Sequence, residues 1–239
     1  MSSKSVGDNI VAMRSNWSFA GDTADNFDAH IRRSVPFYEA GHELVCQLSD
    51  FFVRSGSNCY ELGTSTGELL GKLVNYNSHK AKVRWTGVDS VEAMIDKARK
   101  SLVHFSNVEL QVGDVADFDF RPSDFVVSYY CMQFVPPQQR QEIFNRIYES
   151  LNWGGAFVMF EKVRAPDARF QDIATALYDD FKRTQGYSDE EILSKSRSLR
   201  GVLEPYTSDA NRQYLRRAGF QDITTVMKYV CFEGFLAIK

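Results

Sequence analysis

The sequence predicts an α/β fold: a doubly wound, mostly parallel sheet of seven strands with helices on both faces, in a single domain. Three observations carry this. Five short apolar runs, NCYELG, VRWTGVDS, VELQVGD, DFVVSYY and AFVMFEK, lie between residues 58 and 162, separated by stretches of helical periodicity. Apolar strands that alternate with helices are buried on both faces, the signature of parallel βαβ units. The glycine-bearing ELGTSTG overlaps the end of the first run and opens a helix. Finally, Ile223 to Ile238 is dense in β-branched and aromatic residues and is broken by Gly234, so two antiparallel strands are expected there.

Taken in order, residues 1–15 are polar and expected to be mobile at their start. Residues 16–57 form an N-terminal cap and lead-in helix. Trp17, Phe19 and Phe27 are unusual in a solvated tail, so this stretch is expected to fold back over something. Leu44, Val45, Leu48 and Phe51 recur at helical spacing from about Phe37 to Arg54, and Ser55-Gly56-Ser57 ends that helix. EAMIDKARKSL is amphipathic, with Ser90 as its expected cap. PPQQRQEIFNRIYESL begins on prolines, which suit a first helical turn, and Asn152 to Gly155 reads as a turn. Residues 165–215 read as a helical insertion near the substrate side. Its first helix, 165–185, is expected to face Phe170, Ile173, Ala174, Leu177 and Phe181 inward and to stop at Gly186. Residues 189–200 are weakly helical, and SDANRQYLRRAGF is a capped helix ended by Gly219.

Composition narrows the function. With 28 Lys+Arg against 31 Asp+Glu the net charge is -3, which lacks the electrostatic footprint of a nucleic-acid binder, so no direct nucleic-acid partner is expected. Arg183, Lys195, Arg197 and Arg200 form a local basic run that reads as solvated surface. No run approaches the ~20 apolar residues of a membrane span, and the first twenty residues lack the apolar core of a signal peptide. Cys46, Cys59, Cys131 and Cys231 include no CxxC, and no histidine sits at zinc spacing. Free thiols, no metal and a cytoplasmic location are therefore expected.

The candidate site is a set of strand ends. In ELGTSTG, Gly63 and Gly67 permit a tight turn and a close approach of backbone to ligand. The middle glycine of a dinucleotide fingerprint is absent, with Ser65 in its neighbourhood, so a ligand without a pyrophosphate fits better. Glu61 can orient a cationic amino group. Asp89, at the next strand end, can accept both hydroxyls of a ribose, although it can also serve the following helix. Asp114 in VGDV can accept from an adenine amine while the Val115 backbone meets a ring nitrogen. Tyr129 and Tyr130 end the fourth strand and offer an aromatic wall. Open α/β sheets bind ligands where such strand ends converge.

ELGTSTG, GVDS, VGDV and LNWGGAFVMFEK resemble the successive motifs of class I S-adenosylmethionine-dependent methyltransferases, a Rossmann-like fold. NWSF, RRSVPFY, MQFVPP, FEK and above all DDFKRTQGYSDEEI resemble one group within them, the carboxy-S-adenosylmethionine synthase family. That family makes carboxy-S-adenosylmethionine from S-adenosylmethionine and prephenate, for the modification of wobble uridine in transfer RNA. The resemblance runs from about Asn16 to the C-terminus. It implies S-adenosylmethionine as cofactor, a homodimer, and cofactor contacts at Tyr38, Gly63, Thr64, Ser65, Asp89, Ser90, Asp114 and Val115.

Two positions depart from the family pattern. Tyr129 stands where the family has an asparagine. Ser196, aligned without gaps from GYS, stands where the family has an arginine that pairs with the extra carboxylate of the product. Arg197 is the neighbouring candidate for that role, but one residue along a helix turns a side chain by ~100°. On these departures the leading expectation is methyl transfer to a small acceptor, with Tyr129, Tyr130 and Glu161 to position or deprotonate it and Arg197 as anion anchor. The family's own synthase reaction is the alternative. A non-catalytic S-adenosylmethionine-binding protein is a third, disfavoured by polar groups at successive strand ends. His30 and His42 are candidate bases that read more simply as structural.

Overall fold

The computed structural model describes residues 4–19 and 21–239. The expected mobile start of the chain thus falls partly on residues 1–3, outside the described residues, and from Lys4 the chain is folded. Strands β1 (Lys4–Ser5) and β2 (Val11–Ala12) form a small antiparallel hairpin, beside which Val6, Ile10 and Trp17 are buried. Helices α1 (Asp22–Ser34) and α2 (Tyr38–Phe52) follow, with Phe37 at the corner in the left-handed region at φ 56°. The hairpin and α1 are the elements that periodicity missed. The hairpin strands are only two residues long, and α1 is mostly polar, so neither shows a clear period.

The alternation then runs as expected: β3 (Asn58–Leu62), α3 (Glu68–Tyr76), β4 (Arg84–Asp89), α4 (Glu92–Ser101), β5 (Val108–Val112), β6 (Ser123–Tyr129), α5 (Pro137–Ser150) and β7 (Leu151–Lys162). Three further helices, α6 (Ala168–Thr184), α7 (Asp189–Ser198) and α8 (Ser208–Ala218), precede β8 (Asp222–Tyr229) and β9 (Phe232–Ile238). The seven long strands form one sheet in the order β5-β4-β3-β6-β7-β9-β8. Strands β3 to β7 are mutually parallel, and β9 runs antiparallel between β7 and β8.

Both faces of the sheet are packed. Along β7, Phe157 and Met159 join a core with Ile143, Phe144 and Ile147 of α5 and Leu215 of α8. Ala156, Val158 and Phe160 point the other way, into a core with Val45 and Cys46 of α2 and Leu69, Leu70 and Leu73 of α3. The two-residue period of the strand separates these sets.

Several local expectations are corrected. Asn152 to Gly155 is not a free turn but the start of β7, where Gly154 at φ 77° accompanies a register shift opposite Ser123 and Phe125. Such a bulge inserts extra residues without ending the strand. The break between β8 and β9 falls at Val230 and Cys231, with Val230 at φ 49°, rather than at Gly234. Ser90 does not cap α4; the Asp89 carboxylate accepts from the Val91 N–H at 2.9 Å instead. Thr207 caps α8 by accepting from Ala210 N–H. On α6, Phe170, Ile173 and Leu177 are about half exposed, while Ala174, one residue after Ile173, lines a cavity. The apolar stripe of this helix therefore faces outward and its opposite side faces the protein.

Gly234 pairs with Phe160 across β9 and β7, and a Cβ there would sit 2.5 Å from the Phe160 ring. Gly234→Ala is expected to lower the urea midpoint with the slope unchanged, at a cost of ~1–3 kcal/mol for overpacking. An unchanged midpoint would mean the ring shifts freely.

Candidate functional site

A cavity of about 820 Å³ opens at the carboxyl ends of β3, β4, β5 and β6. That size suits a small ligand with room for a second. Its floor begins at the turn after β3. Gly63 takes φ 74° and Ser65 φ 51°, and the Gly63 and Thr64 N–H groups both donate to the Val88 carbonyl. A Cβ on Gly63 would lie 2.6 Å from Cys131 Sγ, so only glycine lets the turn pass.

Acidic groups surround this turn. The buried Glu61 carboxyl accepts from Thr64 Oγ1 at 2.7 Å. Burial, with Asp89 and Glu68 nearby, pushes it up to about 8, against the opposing Thr64 bond. A carboxyl so placed is poised for a cation. Asp89 accepts from Ser65 N–H at 2.8 Å and from Val91 N–H, and burial outweighs those bonds to raise it. Two backbone donors fix its carboxylate and leave lone pairs free for ribose hydroxyls. Asp114 accepts from Ala116 N–H at 2.9 Å and is exposed, with buried Val115 beside it. Tyr38, Glu61, Gly63, Thr64, Ser65, Asp89, Ser90, Asp114, Val115, Tyr129 and Tyr130 all line the cavity. The fit to S-adenosylmethionine is specific: an acid under strain from burial for the amino group, a fixed carboxylate for the ribose, and a turn without a side chain beneath.

Tyr129 donates its hydroxyl to the Tyr38 carbonyl at 2.8 Å and packs against His42 and Phe160. It braces α2 on the sheet. Burial raises its phenol far above the usual tyrosine range, so it is no base near neutrality. Tyr130 turns into the cavity through a left-handed φ of 59°.

Glu161 and Arg197 do not line the cavity. Strand alternation sends Glu161 to the α5 face, between Phe160 and Lys162. There its buried carboxyl is pushed up to about 8 by burial, against the opposing Arg140 charge and the Gln133 and Met132 backbone, and its Oε1 has no hydrogen-bond partner among the described residues. It lies against the 3-10 turn Met132–Phe134 and away from the cavity. Arg197 is exposed on α7 and away from the cavity, while Ser196 on α7 and the exposed Arg200, in the turn that follows the helix, both line it. His30 and His42 line the cavity but are held neutral. Burial takes His30 down to about 4 and, with the Lys72 ammonium adding to it, His42 to about 3.

Several cavity residues are not among the expected site residues. Lys162, Lys182, Lys195 and Arg200 line it. The basic run splits in three dimensions: Lys195 is buried, Arg200 faces the cavity, and Arg183 pairs at the surface with Asp180 and Asp189. Arg140 is buried and donates to the carbonyls of Gln133, Val135 and Glu204, which shapes the MQFVPP loop. Glu39, His42 and Glu68 bring three ligand atoms within 4.8 Å, but Lys72 Nζ lies 3.0 Å from Glu68 and 3.2 Å from His42, and it also pairs with Glu39. Arg32 bonds both carboxylates at 2.6 Å, so the protein's own cations meet their charge.

The segment expected to act as a cap contributes aromatic residues to the cavity wall. Trp17, Phe19, Phe27, His30 and Tyr38 line it. Asp8 is the latch. Its carboxylate accepts from Arg33 and from the Tyr187 hydroxyl, and meets His30 Nδ1 at 2.7 Å. This ties the hairpin to α1 and to the loop before α7. Burial would raise the Asp8 carboxyl, but bonds from Tyr187 and His30 and the Arg33 charge lower it on balance. A lowered folded pKa stabilises above the unfolded value, ~3.9, and that contribution is lost as pH falls through the folded value. Asp8→Ala is therefore expected to speed amide exchange over residues 4–17 at pH 7, with the difference from wild type closing below pH ~3. Equal protection at pH 7 would remove the latch.

The fold and site can be set beside known proteins. Residues 60–155 match the family model described as "Methyltransferase domain". The carboxy-S-adenosyl-L-methionine synthase of Staphylococcus epidermidis is 36% identical over 224 residues, covering 93% of this chain and 97% of that protein. The protein of the same name from Campylobacter lari is 36% identical, covering 95% and 96%. Among solved structures, phosphoethanolamine N-methyltransferase 2 of Haemonchus contortus superposes with a TM-score of 0.66 at 14% identity, over 93% of this chain and 59% of that one. An O-methyltransferase family protein from Burkholderia thailandensis gives 0.64 at 17% identity, over 91% and 59%. The chain spans little more than half of these two structures, which establish the fold alone. The relatives favour the synthase over methyl transfer to a separate acceptor, reversing the order drawn from Tyr129 and Ser196. This chain is an S-adenosylmethionine-dependent transferase and belongs to the carboxy-S-adenosyl-L-methionine synthase family.

Proposed function

We propose that this protein makes carboxy-S-adenosylmethionine from S-adenosylmethionine and prephenate. The observation that carries this is Arg200. It lines the cavity four residues after Ser196, in the turn that follows α7. The family's missing guanidinium is thereby replaced from just beyond the helix, and Arg197 is not needed. A guanidinium fork holds a carboxylate in both charge and orientation.

Bound S-adenosylmethionine supplies a methyl carbon activated by its sulfonium; overall a carboxyl from prephenate replaces one hydrogen of that methyl, and the ring hydroxyl leaves as water with the proton so released. The residues have separate tasks. Glu61, Asp89 and the turn at Gly63 and Ser65 hold the nucleoside and its amino group. Tyr38 and Tyr130 wall the reacting end, and Trp17 and Phe19 exclude water above it. Arg200 receives the new carboxylate. In-line positioning and a dry site account for most of the rate such a transfer needs.

The finer setting is part of the same proposal: a homodimer in the cytoplasm, without direct nucleic-acid contact. No described helix is long and apolar enough to cross a membrane. The exposed stripe of Phe170, Ile173 and Leu177 supports a dimer face. Leu177→Glu is expected to halve the sedimenting mass; an unchanged mass would place the contact elsewhere.

Mass spectrometry of the nucleosides formed from S-adenosylmethionine and prephenate tests the reaction. A product heavier by CO₂ is expected, with kcat/KM lowered ~10–100-fold in Arg200→Ala, about the ~1.5–3 kcal/mol of a bond to a charged group. Arg197→Ala should match wild type. Methylated acceptor without the heavier nucleoside would refute the reading.

Glu61 adds a pH signature. Its carboxyl is held up to about 8 without a cation beside it, and a bound ammonium lowers it. S-adenosylmethionine binding should therefore release a proton below pH 8 and tighten as pH rises from 6 to 8. Calorimetry in buffers of different ionisation enthalpy would read this, and Glu61→Gln should abolish that release. A release that persists in the variant would assign it to another group.

A further inference from the structure

Beyond Arg200, the cavity holds a second group of cations, with no carboxylate ion-paired to them among the described residues. Lys162 comes from the end of β7, Lys182 from the last turn of α6 and Lys195 from α7, and all three line the cavity. Lys182 is 6% exposed and Lys195 7%. Among the described residues no carboxylate makes a salt bridge to any of them, whereas Lys4, Lys72, Lys80, Lys97 and Lys228 all have one. Buried lysines without partners are rare because desolvating an ammonium is costly.

Aromatic faces hold these ammoniums in place. The Tyr178 ring has Lys162 Nζ 4.2 Å and Lys182 Nζ 4.9 Å from its centroid. Lys195 lies over Trp17 of the cap. A cation–π contact recovers only part of the lost hydration. The repulsion registers in their protonation. Burial and the Lys162 charge take Lys182 down to about 8, and burial with the Lys182 charge takes Lys195 well below the usual lysine range. Asp179, which lines the cavity beside them, and Asp8 act on these lysines through charge alone, without a salt bridge.

The sheet order keeps this group apart from the acids. Glu61, Asp89 and Asp114 sit at β3, β4 and β5, while the lysines come from β7 and the helices after it. One cavity thus has an acidic end and a basic end. We propose that Lys162, Lys182 and Lys195 form the docking site of a co-substrate bearing two carboxylates, gripped at both ends by ammonium groups. The specific consequence is selection by charge: a monocarboxylate leaves part of the cluster unpaired and binds weakly. This rests on reading the cavity as a two-substrate site, but it does not need the carboxyl transfer itself.

Calorimetry on the full chain loaded with S-adenosylhomocysteine separates the two claims. Prephenate, a dianion, should bind at least 10-fold tighter than phenylpyruvate, a monoanion of similar shape. Lys182→Gln and Lys195→Gln should each weaken prephenate at least 10-fold and leave S-adenosylmethionine affinity within twofold. Lys195→Arg, which keeps the charge, should restore most of the binding and guards against a variant that merely misfolds. Prephenate affinity unchanged in the Lys162→Gln/Lys182→Gln/Lys195→Gln protein would overturn the subsite, as would a parallel loss of S-adenosylmethionine binding with no rescue by arginine. Lysine-dependent prephenate binding without any carboxylated nucleoside would sink the synthase reaction and leave this subsite standing.

Discussion

Strand β3 is hydrogen-bonded to β4 on one side and to β6 on the other, all three parallel. The chain must leave its carboxyl end toward β4 and return later on the opposite side. That reversal opens a crevice directly above β3, and no helix fills it. Every acid of the site depends on it. Glu61 ends β3 itself, Asp89 ends β4 and Asp114 follows β5. The Gly63 turn must cross between strand and helix within the same narrow space, where Cys131 leaves no room for a Cβ.

Burial acts on both ends of this cavity in the same way. It pushes the Glu61 carboxyl and the Lys182 ammonium toward their uncharged forms. The two groups do not neutralise each other, because the sheet holds their parent strands apart. Ligands of opposite charge at the two ends relieve both penalties at once. S-adenosylmethionine with a carboxylate-bearing partner meets that requirement, whereas a neutral methyl acceptor leaves the lysines unanswered. The Asp8 latch and the aromatic cap keep water out, which makes each of these charges count for more.

Much of this is legible in the chain before it folds. Apolar runs such as DFVVSYY are strands because a parallel sheet is buried on both faces, and ELGTSTG is a ligand turn because glycine alone tolerates its backbone. Polarity at a strand end is likewise a local signal, so Glu61, Asp89 and Asp114 stand out. The apolar residues of α6 were legible as a stripe but not as to its direction. Periodicity defines a face; only the neighbours define which way it looks, and here Phe170, Ile173 and Leu177 look out.

The sequence by itself determined the fold, the strand ends and the family, because each is written in residues adjacent along the chain. The tertiary structure alone decided which cations serve the site. Arg197 and Arg200 look equivalent as letters and both are exposed, yet Arg197 sits on α7 away from the cavity, whereas the turn after α7 brings Arg200 to the cavity rim. Glu161 and Lys162 are neighbours, yet strand alternation sends them to opposite faces. Lys162, Lys182 and Lys195 lie on three separate elements. Their common cavity is a property of packing, and no local pattern encodes the burial that makes an unpaired lysine meaningful.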